Sequence, residues 1–209
     1  MRTVLVTQRL EENEAYPETR EGLDVRWARV FRELDLLPIP MATEIDPSAY
    51  AELRPVGVVL TGGNDLSSCT STPPSRLRDA YERRVLATAK LHDWPIFAVC
   101  RGLQLLASEG GAELVRHHGH VATEHALHVD REAPFSDLLA NVQAVNSFHT
   151  YAPRAIEAPG WRVCARAVDG AVEALANEDR RILGVMWHPE RYDRPRACDL
   201  ALIRAVLAI

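Results

Sequence analysis

Pro95-Ile96-Phe97-Ala98-Val99-Cys100-Arg101-Gly102-Leu103-Gln104-Leu105-Leu106 is the stretch on which the fold turns. Its first half is an apolar run led by proline, with the length and bulk of a buried strand. Its second half sets Leu103, Leu106 and Ala107 beside Gln104 and Ser108, the spacing of a helix with one apolar face. A strand that becomes a helix over so few residues must turn sharply, and such a turn pushes its central side chain into the open. That side chain is Cys100. At the start of a helix its sulfur also meets free N–H groups and the positive end of the helix dipole, which favour thiolate over thiol. The plainer alternative is a buried structural cysteine, a common fate for this residue type.

Around this centre the chain alternates strand and helix. Thr3 to Thr7 reads as a first buried strand, and Leu23, Trp27, Val30, Phe31 and Leu34 recur at helical spacing, which predicts a helix from about Tyr16 to Leu36. Leu37-Pro38-Ile39-Pro40 is a short extended piece, because each proline biases the residue before it toward β geometry. Val56 to Leu60 is a second buried strand that runs into Thr61-Gly62-Gly63-Asn64-Asp65, where two glycines let the backbone approach a ligand and turn its N–H groups outward. Read alone, that loop is an ordinary strand-to-helix turn. Leu77, Tyr81, Val85 and Ala89 mark the next helix, with Arg78, Asp79 and Glu82 on its other faces. The alternation predicts an α/β fold whose mostly parallel central sheet is flanked by helices, with ligands bound at the carboxyl ends of the strands. Both the Gly-Gly loop and Cys100 fall at such ends.

The second half differs in texture. Glu113 to Val115 and Ala126 to Val129 read as short strands separated by His117, His118, His120 and His125. The histidine spacing matches no standard zinc pattern, and no cysteine or carboxylate pair completes one, so neither a metal nor a cofactor is expected. Val142 to Val145 predicts another strand, ending in Asn146-Ser147-Phe148-His149. Trp161 to Val168 and Ala171 to Ala176 form a hairpin about Asp169-Gly170, a small antiparallel addition. Ile182 to Trp187 is a last strand that delivers His188-Pro189-Glu190, and a terminal helix shows Leu200, Ile203 and Leu207 on one face.

Composition limits the function classes. A chain of 209 residues suits one domain spanning 1–209, and 47% hydrophobic with 25% charged residues is ordinary for a globular protein. The net charge of −5 leaves no basic footprint for nucleic acid and no polybasic membrane patch. The first residues lack a signal peptide's apolar run, and Cys69, Cys100, Cys164 and Cys198 show no pairing pattern, so a reducing cytoplasm is expected.

A thiolate nucleophile needs a base for its proton and a third group to orient that base. His188-Pro189-Glu190 supplies both within three residues, the proline stiffening the turn. Together with Thr61-Gly62-Gly63-Asn64-Asp65 and Val99-Cys100-Arg101-Gly102-Leu103-Gln104, it resembles the class I glutamine amidotransferase superfamily, a flavodoxin-like fold. The resemblance implies that Cys100 attacks a γ-glutamyl carbonyl to give a thioester, that His188 shuttles the proton and that Glu190 holds His188. It implies an oxyanion site at the backbone N–H groups of Gly63 and Arg101, and recognition of the glutamyl end by Gln104. Ala98 departs from the superfamily's usual glycine two residues before the cysteine.

Cys100-Arg101-Gly102 resembles the γ-glutamyl hydrolase branch, as do Arg78-Asp79-x-x-Glu82, Asn146-Ser147-x-His149 and Asp169-Gly170-x-Val172-Glu173-Ala174. Asn146, Ser147 and His149 are accordingly expected near the substrate, although Thr150 and Tyr151 replace the branch's second histidine and glutamine. Val6-Thr7-Gln8-Arg9 with Tyr16, Arg20, Leu23-Asp24 and Trp27 is similar to a subgroup that hydrolyses γ-glutamyl-CDP-amidate in surface-polysaccharide biosynthesis. On that reading Arg9 or Arg20 meets a diphosphate through its planar fork; otherwise each is a solvated surface arginine. The expected partner is a small γ-glutamyl molecule, and a homodimer stays open. Two alternatives compete: a glutaminase subunit feeding ammonia to a separate synthetase, and a non-catalytic ligand-binding regulator.

Overall fold

The computed structural model describes residues 1–177 and 181–209. In chain order, β1 (Arg2–Val6) leads to a hairpin of β2 (Arg9–Glu12) and β3 (Thr19–Gly22). Then come α1 (Trp27–Glu33), β4 (Leu36–Pro40), β5 (Val58–Leu60), α2 (Pro73–Leu91), β6 (Ile96–Val99) and α3 (Arg101–Glu109). The second half holds β7 (Leu114–Arg116), β8 (Val121–Ala126), β9 (His128–Val129), α4 (Ser136–Leu139), β10 (Ala144–Phe148), β11 (Tyr151–Pro153), β12 (Trp161–Arg166), β13 (Val172–Asn177), β14 (Ile182–Val185) and α5 (Ala197–Leu207). No described helix is long and apolar enough to cross a membrane.

Eight strands form the main sheet in the order β4-β1-β5-β6-β14-β13-β12-β9. The first five run parallel, and β13, β12 and β9 continue antiparallel. The expected parallel sheet and antiparallel addition are thus one continuous sheet, joined through β13 and β14. Because side chains alternate across a strand, Phe97 and Val99 of β6 face one layer, with Trp27 and Phe31 of α1 and Ile203 and Val206 of α5. Ile96 and Ala98 face the other, with Tyr81 and Val85 of α2 and Leu103 and Leu106 of α3. Two-sided burial explains why the central strands β5, β6 and β14 carry no polar side chain.

Three sequence expectations need correction. The helix predicted from Tyr16 to Leu36 is only Trp27–Glu33, and the hairpin of β2 and β3 occupies the region before it. Pro17 and Gly22 both oppose helix there, and the apolar repeat that suggested one begins only at Leu23. Along α2, Leu77 is exposed, whereas Arg78, Asp79 and Glu82 are buried. Asn146, Ser147 and Phe148 lie within β10 rather than after a strand.

Candidate active site

The turn between β6 and α3 is as sharp as a nucleophile elbow requires, but Cys100 is buried there rather than pushed into the open. Cys100 adopts φ 51° and ψ −100°, a strained conformation for a residue with a side chain. Its backbone N–H donates to the Val185 carbonyl of neighbouring β14 at 2.7 Å, which ties the strained residue to the sheet. Gly102 makes the close approach of α3 to the sheet feasible. A Cβ there would lie 2.8 Å from the Leu60 carbonyl oxygen and 3.1 Å from the Ala98 Cβ. With residue 102 lacking a side chain, the extra methyl at Ala98 is buried without conflict.

β14 is hydrogen-bonded beside β6 and delivers His188 and Glu190 to the same sheet end. Glu190 accepts a hydrogen bond from His188 Nδ1 at 2.6 Å, and both side chains are buried. Burial opposes charge on the imidazole. Its interaction with Cys100, and then that with Glu190, outweigh burial and raise His188 to about 9. A sulfur, an imidazole and a carboxylate in this sequence can pass a proton to and from a reacting group.

The Gly-Gly loop closes over the imidazole. A Cβ on residue 62 would fall 2.6 Å from His188 Cε1, so only glycine lets the loop pass there. Gly63 adopts φ 81°, a conformation that turns the backbone back on itself. The loop is held from beneath by Arg78, whose guanidinium donates to the carbonyls of Thr61 (2.8 Å), Gly62 (2.9 Å) and Gly63 (2.6 Å). Arg78 also pairs with Glu82, and Glu82 and Asp79 both bind the buried Arg101 side chain. One buried charge network therefore connects the Gly-Gly loop to the residue after Cys100. The backbone N–H of Arg101 stands in the first turn of α3, where helix geometry leaves it no intrahelical partner.

The residues expected around the substrate divide. Gln104 is buried and donates to the Tyr151 carbonyl at 2.7 Å. Asn146 grips the main chain of His188 on both sides, at 2.8 and 3.0 Å, and its own N–H donates to the Tyr192 hydroxyl. Ser147 donates to the His120 carbonyl at 2.8 Å, and His149 faces Glu173 at 3.3 Å. These side chains are engaged inside the protein. Arg9, by contrast, lines a crevice with Gly62, Gly63, Trp27, His188 and Glu190. The hairpin carrying it is fixed by Asn64, whose side chain bonds both the N–H and the carbonyl of Leu10. Arg20 is not among the crevice residues; it is exposed and paired with Glu18 at 2.8 Å.

Two residues at the site escaped sequence reading. Arg191 lines the crevice and lies over the Phe148 ring at 4.4 Å, and Phe148 meets the His188 ring edge-on. The only local signal for Arg191 was its place directly after His188-Pro189-Glu190. The histidine stretch also needs correction. Glu173 and Asp169, distant in sequence, supply carboxylates to His117, His120, His125 and His149.

Comparison with known proteins agrees with this architecture. The family model described as peptidase C26 matches residues 6–190. The chain is 32% identical to a γ-glutamyl-CDP-amidate hydrolase of Campylobacter jejuni, over 89% of this chain and 88% of that protein. It is 31% identical to protein NtpR of Enterococcus hirae, over 82% of each. It is 30% identical to a GMP synthase of Thermus thermophilus, over 83% of this chain but 32% of that enzyme. Among solved structures, a Thermoplasma acidophilum protein assigned as a GMP synthase subunit superposes with a TM-score of 0.72 at 18% identity, covering 100% of this chain and 93% of that one, a likeness of fold. The chain belongs to the peptidase C26 family, hydrolases of the class I glutamine amidotransferase-like group.

Proposed function

We propose that the protein hydrolyses a γ-glutamyl amide through a thioester on Cys100. The supporting observation is a cysteine at a strained elbow beside an imidazole that Glu190 holds at 2.6 Å. Cys100 Sγ attacks the γ-carbonyl carbon, and the backbone N–H groups of Gly63 and Arg101 receive the developing oxyanion. His188 gives its proton to the leaving nitrogen as the C–N bond breaks. Water then attacks the thioester, His188 takes a proton from it, and glutamate leaves as the sulfur is regenerated.

The leaving group on this proposal is anionic, a nucleoside diphosphoramidate such as the one named for the Campylobacter relative. Arg9, which also pairs with Glu11 at 3.2 Å, and Arg191 both line the crevice and would meet that charge. Such a substrate would place the enzyme in a cytoplasmic route to surface polysaccharide. The GMP synthase matches favour a second reading, a glutaminase that works for a synthetase.

Release of glutamate decides between the two. The isolated protein is expected to hydrolyse γ-glutamyl conjugates, the nucleotide amidate best, and Cys100→Ser is expected to lower turnover by roughly 10⁴-fold or more. Glu190→Gln should slow turnover without abolishing it, since the carboxylate orients the ring and transfers no proton. Activity confined to glutamine and dependent on an added synthetase would replace the hydrolase reading with the second one.

A further inference from the structure

His120, His125, His149 and Glu173 converge on one point, and the Glu173 carbonyl accepts from the N–H of Met186, two residues before His188. Glu173 Oε1 lies 3.3 Å from His149 Nε2, 3.3 Å from His125 Nε2 and 3.6 Å from His120 Nδ1. All four donor atoms lie within 4.8 Å of one another. Four ligands at about 2.0–2.1 Å from a central zinc ion stand about 3.4 Å apart, because a tetrahedron's edge is about 1.6 times its centre-to-corner length. The separations from the carboxylate oxygen match that edge. They are long for hydrogen bonds, and three imidazoles aimed at one oxygen exceed what its lone pairs serve well.

The surroundings fit a cation as well. Glu173, His149 and His120 are buried, and His125 Nε2 and Glu173 Oε2 make no hydrogen bond among the described residues. The other nitrogen of His120, Nε2, lies 3.0 Å from Asp169 Oδ2, and His117 Nδ1 reaches the same oxygen at 3.2 Å. A carboxylate behind a ligating histidine fixes its tautomer and strengthens it as a donor. We propose that His120, His125, His149 and Glu173 form a closed site for one divalent transition metal ion, zinc by its donor set.

Four protein ligands leave no open position, so the ion is structural. It joins β8, the end of β10 and β13. β10 also carries Asn146, which holds the main chain of His188. Metal loading therefore stiffens the strand that positions His188, with the chemistry left to Cys100.

The test uses protein without an affinity tag and with Cys100→Ser, so that the Cys100–His188 pair binds no metal. Elemental analysis after zinc exposure and desalting should give one zinc per chain. Cobalt should give the intense visible absorption of a tetrahedral site, and zinc should raise Tm reversibly against a chelator. Glu173→Gln and His149→Gln should weaken zinc by about 100-fold or more. His118→Ala and His128→Ala, outside the four ligands, should leave it unchanged. A Cys100→Ser protein that takes up no zinc, shows no cobalt spectrum and keeps its Tm would overturn the site and leave a carboxylate shared among three histidines. Zinc that persists in both Glu173→Gln and His149→Gln would overturn it equally.

Discussion

Asn146 holds the backbone of His188 from both sides: its Oδ1 accepts the His188 N–H at 2.8 Å and its Nδ2 donates to the His188 carbonyl at 3.0 Å. A planar amide that bridges two groups of one residue fixes where that residue stands, and here the residue bears the imidazole beside Cys100. Asn146→Ala leaves a buried N–H and a buried carbonyl unpaired, at about 1–3 kcal/mol each. The expected outcome is a clear loss of Tm and a fall in kcat with little change in KM, because the amide touches the main chain and not the substrate. Steady-state kinetics alongside thermal denaturation will check this, and an unchanged kcat would separate the clamp from the chemistry.

Arg78 supports the opposite wall. Its guanidinium spans three consecutive carbonyls of the Gly-Gly loop, which a point-charge ammonium cannot do. Arg78→Lys keeps the charge beside Glu82 and loses the fork. Turnover should drop by a similar factor on every γ-glutamyl substrate, charged or neutral, since the proposed mechanism uses the loop's N–H groups on the shared glutamyl carbonyl. A loss restricted to one leaving group would instead assign Arg78 to specificity.

The His188 proton sets a pH window. The ring is raised to about 9 against its ordinary 6.5: burial opposes the charge, and Cys100 and then Glu190 outweigh burial. A group raised on folding contributes stability that is fully present below about 6.5 and lost as pH rises through about 9. Denaturation midpoints should therefore decline between those values, and kcat should fall near pH 9 as the proton for the leaving nitrogen is lost. Glu190→Gln removes one charge that holds the proton, so its alkaline limb should move toward neutral pH. An alkaline limb at the same pH in this variant would contradict the pairing.

Specificity should separate two arginines of the hairpin. Arg9→Ala is expected to raise KM for a γ-glutamyl nucleotide amidate by the equivalent of about 1–3 kcal/mol, the range for hydrogen bonds to charged groups. A small neutral γ-glutamyl amide should be nearly unaffected. Arg20→Ala should change neither, since its exposed pairing with Glu18 is worth at most about 1 kcal/mol. Equal losses on both substrates in Arg9→Ala would make Arg9 structural.

The sequence by itself determined the parts whose partners are chain neighbours. Pro95 to Leu106 announces a strand, a turn and a helix because burial on two faces and then on one leaves distinct apolar patterns. His188 and Glu190 stand two residues apart, so a stiff turn is enough to bring them together. Tertiary structure decided whatever depends on groups far apart in sequence. Arg78, Asp79 and Glu82 look like the solvated faces of a helix until Arg101 and the Gly-Gly carbonyls arrive to neutralise and satisfy them. Asn146 meets His188 across 42 residues, and His149 meets Glu173 across 24. The reason is physical. Apolar side chains gain from burial whatever lies opposite, so their spacing predicts most of the core (Leu77 being an exception), whereas a polar or charged side chain is buried only where partners satisfy it. Those partners are assembled by the sheet order, which brings β14 beside β6 and β13 beside β14.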